Sequence, residues 1–426
     1  WVLSQLKAVL DHPSDFLNSA EAWSRIAQAL IDAEPTAPQE LLPQAREHHI
    51  FGGAFIAESA KAQFDLALKL PISVKGALMP DAHYGYGLPI GGVLATDNAV
   101  IPYGVGMDIG CRMCLSVYAI KPSVLDRKTE DFKKLILDHT RFGHDRFDKP
   151  MDHVIFSRSE FQDIPKVKSL KNKAFQQIGS SGSGNHFVEF GIVNFGSEAY
   201  DLDLEPGQYL GLLSHSGSRG LGATIAQHYT NLAKAKSTLP KQALNLAWLD
   251  MDSEEGQEYW LAMNLAGDYA SACHHQIHDR ISQALGEHPI NRIENHHNFA
   301  WKQKLANGQE VIVHRKGATP AGKGELGIIP GSMTAPGYIV RGRGFAQALA
   351  SASHGAGRAM SRRQAKQSFT KKILRQELNE KGVSLMGGGL DEVPMAYKDI
   401  RQVMSAQQEL VDILGSFIPK IVRMDE

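Results

Sequence analysis

The chain has 426 residues, 43% of them hydrophobic and 21% charged, and these ordinary values exclude a disordered protein. Its 45 Lys and Arg nearly balance its 46 Asp and Glu, so a nucleic-acid partner would need a local basic patch. Three cysteines exclude a disulfide framework and predict a reducing, cytoplasmic compartment, and the lack of an apolar run near ~20 residues predicts no membrane partner.

The chain is expected to start with a small segment and continue as one large domain. Residues 1–50 are predicted to form a polar, helical N-terminal extension, in which Pro35 and Pro38 interrupt the helical spacing of apolar residues. Residues 51–426 are predicted to form the main domain. Within it, residues 121–175 are basic and loop-like and predict an exposed insertion.

In the main domain, short β-rich runs and longer runs with a helical pattern succeed each other in an irregular order. Strands are predicted at Ile72–Met79, Cys114–Ile120, Phe187–Val193, Tyr209–Leu213 and Val311–His314. Helices are predicted at Ala223–Lys236, Glu254–Leu285, Ala346–Leu378 and Tyr397–Phe417. This order favours an α+β or complex mixed α/β fold over a regular βαβ alternation, and no internal repeat indicates a solenoid.

The 40 glycines and 18 histidines are spread unevenly and mark six short glycine-rich segments. These segments are residues 79–87, 104–111, 179–186, 214–220, 330–333 and 353–358. Most of them place a His, Asp or Cys beside glycines, which permit a positive φ and a close backbone approach to a phosphate or a bound ion. One such segment fits an ordinary tight turn equally well, but six together predict a shared site.

Three of these segments contain candidate metal ligands. Asp108 and Cys111 lie three residues apart in a glycine-bounded loop, so both side chains can reach one ion. His186, His215 and His297 are candidate imidazole ligands from separate loops. Carboxylate, thiolate and imidazole together favour Mn, Fe, Co or Zn over Mg or Ca. Five ligands exceed one tetrahedral ion and predict two ions sharing the thiolate, which would suit phosphoryl transfer.

Two further patterns resemble metal sites, but we interpret neither as one. Cys111 and Cys114 form a C-x-x-C half-motif, but there is no second one for a zinc ribbon, and Cys114 begins an apolar run. His274 and His278 are spaced i, i+4 on a predicted helix without the zincin motif, so solvated helix histidines are the simpler interpretation.

The last glycine-rich segment has neither a Walker A motif nor a dinucleotide fingerprint. Instead, His354 precedes Gly355-Ala356-Gly357, and Arg358 and Arg362 follow one turn apart at a predicted helix start. Backbone N–H groups at a helix start attract anions, and the arginines could clamp a phosphate. A nucleophilic His354 that forms a phosphoramidate and a His354 that caps a helix both fit this pattern.

Taken together, these segments resemble the RtcB family of RNA ligases, also called 3′-phosphate or tRNA-splicing RNA ligases. The matching motifs, between about Met79 and Phe417, are P-D-A-H, G-V-G-M-D-I-G-C, G-S-G-N-H-F-V-E, H-S-G-S-R-G-L-G, H-H-N, R-K-G-A, I-P-G-S-M and S-H-G-A-G-R-x-x-S-R. Each motif alone is weak, whereas the whole set in this order is highly specific. The resemblance implies an RtcB-like catalytic domain over residues 51–426.

The resemblance also implies a reaction. The enzyme would use GTP and two Mn²⁺ ions to join an RNA 3′-phosphate or 2′,3′-cyclic phosphate end to a 5′-hydroxyl end, and an accessory activator protein could assist it. His354 would take a guanylate from GTP and pass it to the RNA 3′-phosphate. The ligands would be Asp108, Cys111 and His186 for one ion and Cys111, His215 and His297 for the other.

Other residues match the nucleotide and phosphate contacts of the family. Guanine-nucleotide contacts would come from Asn185, Glu189, His297, Asn298, Pro330, Gly331, Ser332, Met333, Gly337, His354, Gly355, Ala356 and Gly357. Phosphate or RNA would be held by Arg219, Arg358 and Arg362. The resemblance leaves out residues 1–50.

The chain departs from the family pattern in three places. It has Arg423-Met424-Asp425-Glu426 where a lysine-glycine tail is common, Gly337 where a serine is frequent, and Arg112 where a glycine is usual. These departures predict a divergent paralogue whose RNA target or task differs from tRNA splicing.

Three other functions would use the same residues. A metal-dependent RNA-end phosphoesterase would need the ions but not GTP. A capping enzyme would guanylylate RNA ends without joining them. A paralogue that binds RNA without ligating it is favoured by the altered C-terminus, but the intact candidate ligands and His354 argue against it.

Overall fold

The computed structural model describes residues 2–32, 39–202 and 204–425, in two compact units. The first unit comprises residues 1–40 and Thr238–Pro240. It contains helix α1 (Val2–Asp11) and helix α2 (Glu21–Asp32). The interruption predicted at Pro35 and Pro38 lies outside the described residues.

The second unit comprises Leu41–Ser237 and Lys241–Glu426. Its helices are α3 (Glu58–Leu68), α4 (Pro102–Val105), α5 (Val124–Arg127), α6 (Thr129–His139), α7 (Glu160–Asp163), α8 (Pro165–Lys168), α9 (Lys171–Gln177), α10 (Arg219–Lys236), α11 (Glu254–Leu285), α12 (Arg362–Ser368), α13 (Lys371–Lys381) and α14 (Ile400–Ser405). No helix within the described residues is both long and apolar enough to cross a membrane.

The strands of this unit follow each other irregularly along the chain. They are β1 (His48–Ile50), β2 (Ser73–His83), β3 (Ile90–Thr96), β4 (Ala99–Val100), β5 (Arg112–Tyr118), β6 (Phe187–Phe195), β7 (Gly207–Ser216), β8 (Leu249–Asp250), β9 (Asn291–His296), β10 (Phe299–Lys304), β11 (Glu310–Lys316), β12 (Ala318–Pro320), β13 (Leu326–Ile329), β14 (Gly337–Gly342), β15 (Ser351–Ser353), β16 (Ser384–Met386) and β17 (Val411–Met424). The predicted mixed α/β fold is confirmed, and each of the five predicted strands is present with shifted ends.

Two sheets carry most of the core. One has the strand order β1-β2-β3-β11-β10, and the other has the order β13-β14-β17-β6-β7-β5-β9, with β16 paired to β17. The Asn295 side chain in β9 accepts a hydrogen bond from the Ile328 N–H in β13 at 2.8 Å and donates one to the Ile328 carbonyl oxygen at 3.3 Å. The end strands of the larger sheet therefore meet, and the sheet forms a nearly closed barrel.

Helix α11 packs on strands β5 and β7 of the larger sheet, and its ends are the ones that the sequence predicted. Ser253 caps its start by accepting a hydrogen bond from the Gly256 N–H at 3.1 Å, and Gly286 ends it at φ 75°. The buried face of this helix includes His274 and His278, so the prediction that they are solvated is wrong. Their burial is possible because each ring has polar partners, described below.

The long helix predicted over Ala346–Leu378 is wrong. Ser351–Ser353 is a strand, and a loop separates it from the short helices α12 and α13. Gly357 has a φ of 72°, which interrupts helical backbone. Helix α12 begins only after Ser361, whose hydroxyl accepts a hydrogen bond from the Gln364 N–H while the Gln364 side chain bonds back to the Ser361 N–H.

The helix predicted over Tyr397–Phe417 is also wrong for most of its length. Only Ile400–Ser405 is helical, and Val411–Met424 forms a strand between β14 and β6. Short apolar runs fit helical and strand periods alike. The β-branched residues of this run favour extended backbone, and Pro419 is tolerated because the pairing with β6 shifts register there.

Residues 121–175 contain the short helices α5 to α8 and the start of α9, whereas residues 140–153 are irregular, as predicted. Phe132, Ile136 and Phe161 on helices α6 and α7 are buried, whereas Lys134 and Lys168 are exposed. The basic composition that indicated a loop therefore marks the solvent-facing sides of short helices. The division into an extension, a catalytic domain and an insertion stays a prediction, although His48–Ile50 pairs with β2 in the five-stranded sheet.

Candidate active site

Four neighbouring strands of the barrel bring candidate ligands to one edge. Cys111 directly precedes β5, His186 directly precedes β6, and His297 directly follows β9. The register pairs Arg112 with both Ser216 and His296, and Phe187 with His215, so these strand ends are level. Residues that are distant in sequence therefore converge, as the shared-site prediction requires.

The converging side chains form two overlapping clusters. Cys111 Sγ lies 3.2 Å from His215 Nε2 and 3.4 Å from His186 Nε2. His297 Nε2 lies 3.3 Å from His215 Nε2, and Asp108 Oδ2 lies 3.0 Å from His186 Nε2. The donor atoms of Asp108, Cys111 and His186 are mutually close, as are those of Cys111, His215 and His297. Cys111 is thus common to both groups of the predicted two-ion site.

The hydrogen bonds of these histidines are compatible with metal binding through Nε2. His215 Nδ1 donates to the Asn185 carbonyl oxygen at 3.1 Å, which leaves the lone pair of Nε2 facing Cys111 and His297. The Nδ1 atoms of His186 and His297 are buried without a hydrogen-bond partner within the described residues. A cation between His215 Nε2, Cys111 Sγ and His297 Nε2 would be held by three donor atoms that already face one another.

Burial sets the protonation of the cluster. It lowers the pKa of His215 and His297 well below the usual value, so both rings are neutral at pH 7 and can act as ligands. Burial, with Asp108 nearby, raises the pKa of the Cys111 thiol, so a thiolate here needs a compensating cation. Burial opposes the ionisation of Asp108, but the hydrogen bond with His186 leaves its pKa lowered.

Two glycines make room for these ligands. A Cβ on Gly217 would lie 1.9 Å from Asp108 Oδ1, and a Cβ on Gly182 would lie 1.8 Å from His186 Nδ1. The backbone N–H of Ser218 donates to Asp108 Oδ1 at 3.2 Å and orients the carboxylate. Here the glycine-rich segments provide space for side chains of the site.

His354 lies beside this cluster and is held by Asp81. The His354 Nδ1 atom lies 2.7 Å from Asp81 Oδ2, and the same oxygen accepts hydrogen bonds from the backbone N–H groups of His354 and Gly355. The rings of His354 and His297 are 4.9 Å apart between centroids. Because Nδ1 donates to the fully buried Asp81, the lone pair resides on Nε2.

A cavity of about 340 Å³ is lined by these residues, within the usual range of ligand sites. The predicted nucleotide contacts all line it, namely Asn185, Glu189, His297, Asn298, Pro330, Gly331, Ser332, Met333, Gly337, His354, Gly355, Ala356 and Gly357. Burial raises the pKa of Glu189 well above its usual value, which favours the neutral carboxyl, a form that can donate a hydrogen bond.

Sequence comparison assigns the chain to a family. Residues 63–168 and 156–424 match the family described as tRNA-splicing ligase RtcB. The chain belongs to the RtcB family. The resemblance inferred from its motifs is thereby confirmed.

The similarity to known proteins extends over most of the chain. It is 32% identical over 398 residues to the RNA-splicing ligase RtcB of Escherichia coli K12, covering 85% of this chain and 93% of that protein. It is 32% identical over 396 residues to the tRNA-splicing ligase RtcB of Methanococcus maripaludis, covering 76% and 82%. The corresponding protein of Thermococcus kodakarensis is 30% identical over 408 residues, covering 78% and 83%.

The predicted phosphate-binding arginines of this RtcB-family chain differ in position. Arg358 and Arg362 line the cavity, where both pair with the buried Glu392, at 3.0 Å and 2.7 Å. Arg219 does not line it, and instead bonds Ser180 Oγ at 3.2 Å. Motif reasoning missed Glu392 because an acidic residue outside the glycine-rich segments carries no local signal.

A second Cys/His cluster lies behind the first, where Cys114, His274 and His278 place donor atoms close together. Ser214 Oγ lies 2.7 Å from His274 Nδ1 and 2.8 Å from His278 Nε2. Ser116 Oγ lies 2.8 Å from His278 Nδ1, and His274 Nε2 donates to the Ser216 carbonyl oxygen at 3.1 Å. Each nitrogen of both rings therefore has a hydrogen-bond partner.

Proposed function

We propose that this chain is a GTP-dependent RNA ligase that joins a 3′-phosphate or 2′,3′-cyclic phosphate end to a 5′-hydroxyl end through guanylylated His354. The observation that carries the proposal is the position of His354 beside a five-donor cluster in one cavity. The similarity to proteins named RNA-splicing ligases supports the same class of substrate.

The donors would hold two Mn²⁺ ions, with Asp108, Cys111 and His186 at one and Cys111, His215 and His297 at the other. The mixture of carboxylate, thiolate and imidazole fits such an ion better than Mg²⁺. When bound, the ions would supply positive charge to neutralise the reacting phosphates.

His354 would perform the first step. Its Nε2 lone pair attacks the α-phosphorus of GTP, an N–P bond forms, the bond to the β-phosphate breaks, and pyrophosphate leaves. Asp81 keeps the proton on Nδ1 and its negative charge stabilises the ring as Nε2 becomes bonded to phosphorus.

Two further transfers would complete the joining. An oxygen of the RNA 3′-phosphate attacks the guanylate phosphorus, the N–P bond breaks, and His354 is released. The 5′-hydroxyl then attacks the activated 3′-phosphate and GMP leaves. A 2′,3′-cyclic phosphate first takes up water, and its bond to the 2′-oxygen breaks. Arg358 and Arg362 would hold phosphate at the cavity wall in competition with Glu392.

The test combines purified protein, Mn²⁺, GTP labelled at the α-phosphate and RNA with a 3′-phosphate and a 5′-hydroxyl. We expect an acid-labile protein label and a joined RNA. Without GTP, joining should stop; continued processing of the phosphate end alone would indicate a phosphoesterase, and a labelled RNA end without joining would indicate a capping enzyme.

Two variants locate the chemistry. His354→Ala should retain metal and form no covalent guanylate, whereas equal labelling of the variant and the wild type would exclude His354 as the nucleophile. Asp81→Asn should slow guanylylation by about 10²–10³-fold, because the neutral amide no longer stabilises the ring. Thermal unfolding of both variants separates this effect from a loss of folding.

A further inference from the structure

The loop between β2 and β3 carries two exposed aromatic rings beside the cavity. Tyr84 and Tyr86 are 64% and 69% exposed. The loop is closed by the pair His83 and Ile90, and both of these residues line the cavity. At Gly317, Ile90 Cγ2 and His354 Cε1 both lie within 3.3 Å of the position that a Cβ would occupy. The base of the loop is therefore next to the proposed nucleophile.

The loop is held in place by one glutamine. The Gln63 side chain of α3 donates hydrogen bonds to the carbonyl oxygens of Gly85 and Gly87, each at 2.7 Å, and accepts one from the Gly85 N–H at 3.1 Å. Three hydrogen bonds to alternate residues fix the backbone that presents the tyrosines. Rings exposed on a fixed loop lose little conformational entropy when a ligand packs on them.

Tyr86 is the open end of a ring stack. Its ring lies 6.2 Å from that of Tyr103 at an angle of 13°, so the two are parallel and offset. Lys316 Nζ and Lys234 Nζ lie 4.9 Å and 5.4 Å from the Tyr103 ring centroid. Lys316 is buried, and its Nζ donates hydrogen bonds to the backbone carbonyl oxygens of Tyr86 and Tyr103. These bonds hold the two residues of the stack in place, while Tyr86 offers a largely exposed ring at the open end.

We infer that Tyr86, assisted by Tyr84, is a stacking platform for an unpaired base of the RNA strand next to the end being joined. Every nucleobase has a flat face that can extend such a stack. The inference rests on the proposed function for the identity of the strand, and it names the surface that the strand follows as it leaves the cavity.

The first measurement is the affinity for a single-stranded RNA with a 3′-phosphate, read by fluorescence anisotropy. Tyr86→Ala should weaken binding about tenfold, while Tyr86→Phe, which keeps the ring, should stay within about twofold of the wild type. Tyr84→Ala should weaken it about threefold. The matched control is Phe55→Ala, which removes a 43% exposed aromatic ring outside the cavity lining and should change nothing.

The second measurement places the base. Substrates with a single abasic nucleotide at successive positions should lose affinity at one position in the wild type and lose none there in Tyr86→Ala. Guanylylation with GTP alone should be unchanged in each tyrosine variant, which shows that the cavity is intact.

The outcomes separate this inference from the proposed function. Wild-type affinity of Tyr86→Ala in an active ligase overturns the platform alone, and so does an equal loss in Tyr86→Phe, which would assign the effect to the hydroxyl. Base-dependent binding at Tyr86 in a protein that joins no RNA overturns the ligase and supports the platform. Unchanged RNA affinity with a lost response to an activator protein would assign the surface to a protein and overturn the inference.

Discussion

The molecule contains two groups of cysteine and histidine side chains that look alike as lists of donors but differ in their partners. In the group at the cavity, the Sγ atom of Cys111 and the Nε2 atom of His297 both lie close to His215 Nε2, and His297 Nδ1 has no hydrogen-bond partner within the described residues. In the group behind it, Cys114, His274 and His278, the ring nitrogens are all satisfied.

The direction of each hydrogen bond in the rear group is set by the Ser216 carbonyl group, with which the chain of bonds ends. The Ser216 carbonyl oxygen can only accept, so His274 donates from Nε2 and accepts from Ser214 at Nδ1. Ser214 then accepts from His278 Nε2–H, and Ser116 donates to His278 Nδ1. The comparison shows that ring nitrogens without hydrogen-bond partners, and not the mere presence of cysteine and histidine, distinguish the candidate metal centre from a structural network.

The largest difference between the two groups is expected when one thiol is removed from each. Cys111→Ala should abolish both manganese retention and ligation, because the shared ligand of both proposed ions is lost. Cys114→Ala, the matched control, should keep the wild-type manganese content by elemental analysis after dialysis. Full manganese content in Cys111→Ala would contradict the shared thiolate, and metal loss in Cys114→Ala would make the rear group a metal site.

A smaller effect is expected from the hydroxyl that links the rear histidines. Ser214→Ala leaves His274 Nδ1 and His278 Nε2 without their partner, and should lower the free energy of unfolding by about 2–3 kcal/mol with metal content retained. Urea denaturation measures the loss, with Ser169→Ala as an exposed serine control expected to change by less than about 0.5 kcal/mol. Equal stability of both variants would contradict the network.

The smallest effect is the pH dependence contributed by His274. Burial lowers its pKa to about 4, so the folded state keeps the ring neutral while the unfolded chain takes up a proton near pH 6.5. Stability from this residue is therefore complete above about pH 6.5 and is lost as the pH falls towards 4. Between pH 7 and 5.5 the wild type should lose ~1 kcal/mol more than His274→Gln in urea denaturation; parallel pH curves would contradict this assignment.

The sequence predicted the cavity group because its ligands stand in motifs. His186 follows Gly182, whose missing side chain makes room for it, and Asp108 and Cys111 stand together in a glycine-bounded loop, so both places leave a local pattern. Asp81 stands in a quoted motif, but its bond to His354 joins residues 273 positions apart and cannot be deduced from spacing. The helix predicted through His354 was wrong because small apolar residues fit a helical period that the glycines there interrupt.

For the rear group, the sequence predicted the spacing of the histidines but not their burial. The i, i+4 spacing of His274 and His278 correctly indicated one helix face, but exposure was the wrong expectation. What decides burial is the serine that β7 places opposite Cys114, and this pairing depends on the strand register. Side-chain chemistry could be predicted here, whereas the environment of those side chains could not.

The amide of Asn295 has a consequence for how the molecule behaves at high concentration. Exposed strand edges invite pairing with other chains and growth into fibres, and proteins commonly protect them. By joining β9 to β13, this side chain turns the two ends of the larger sheet towards each other and away from such encounters. His297 follows β9 directly, so the protection against aggregation and the placement of a proposed ligand depend on the same seam.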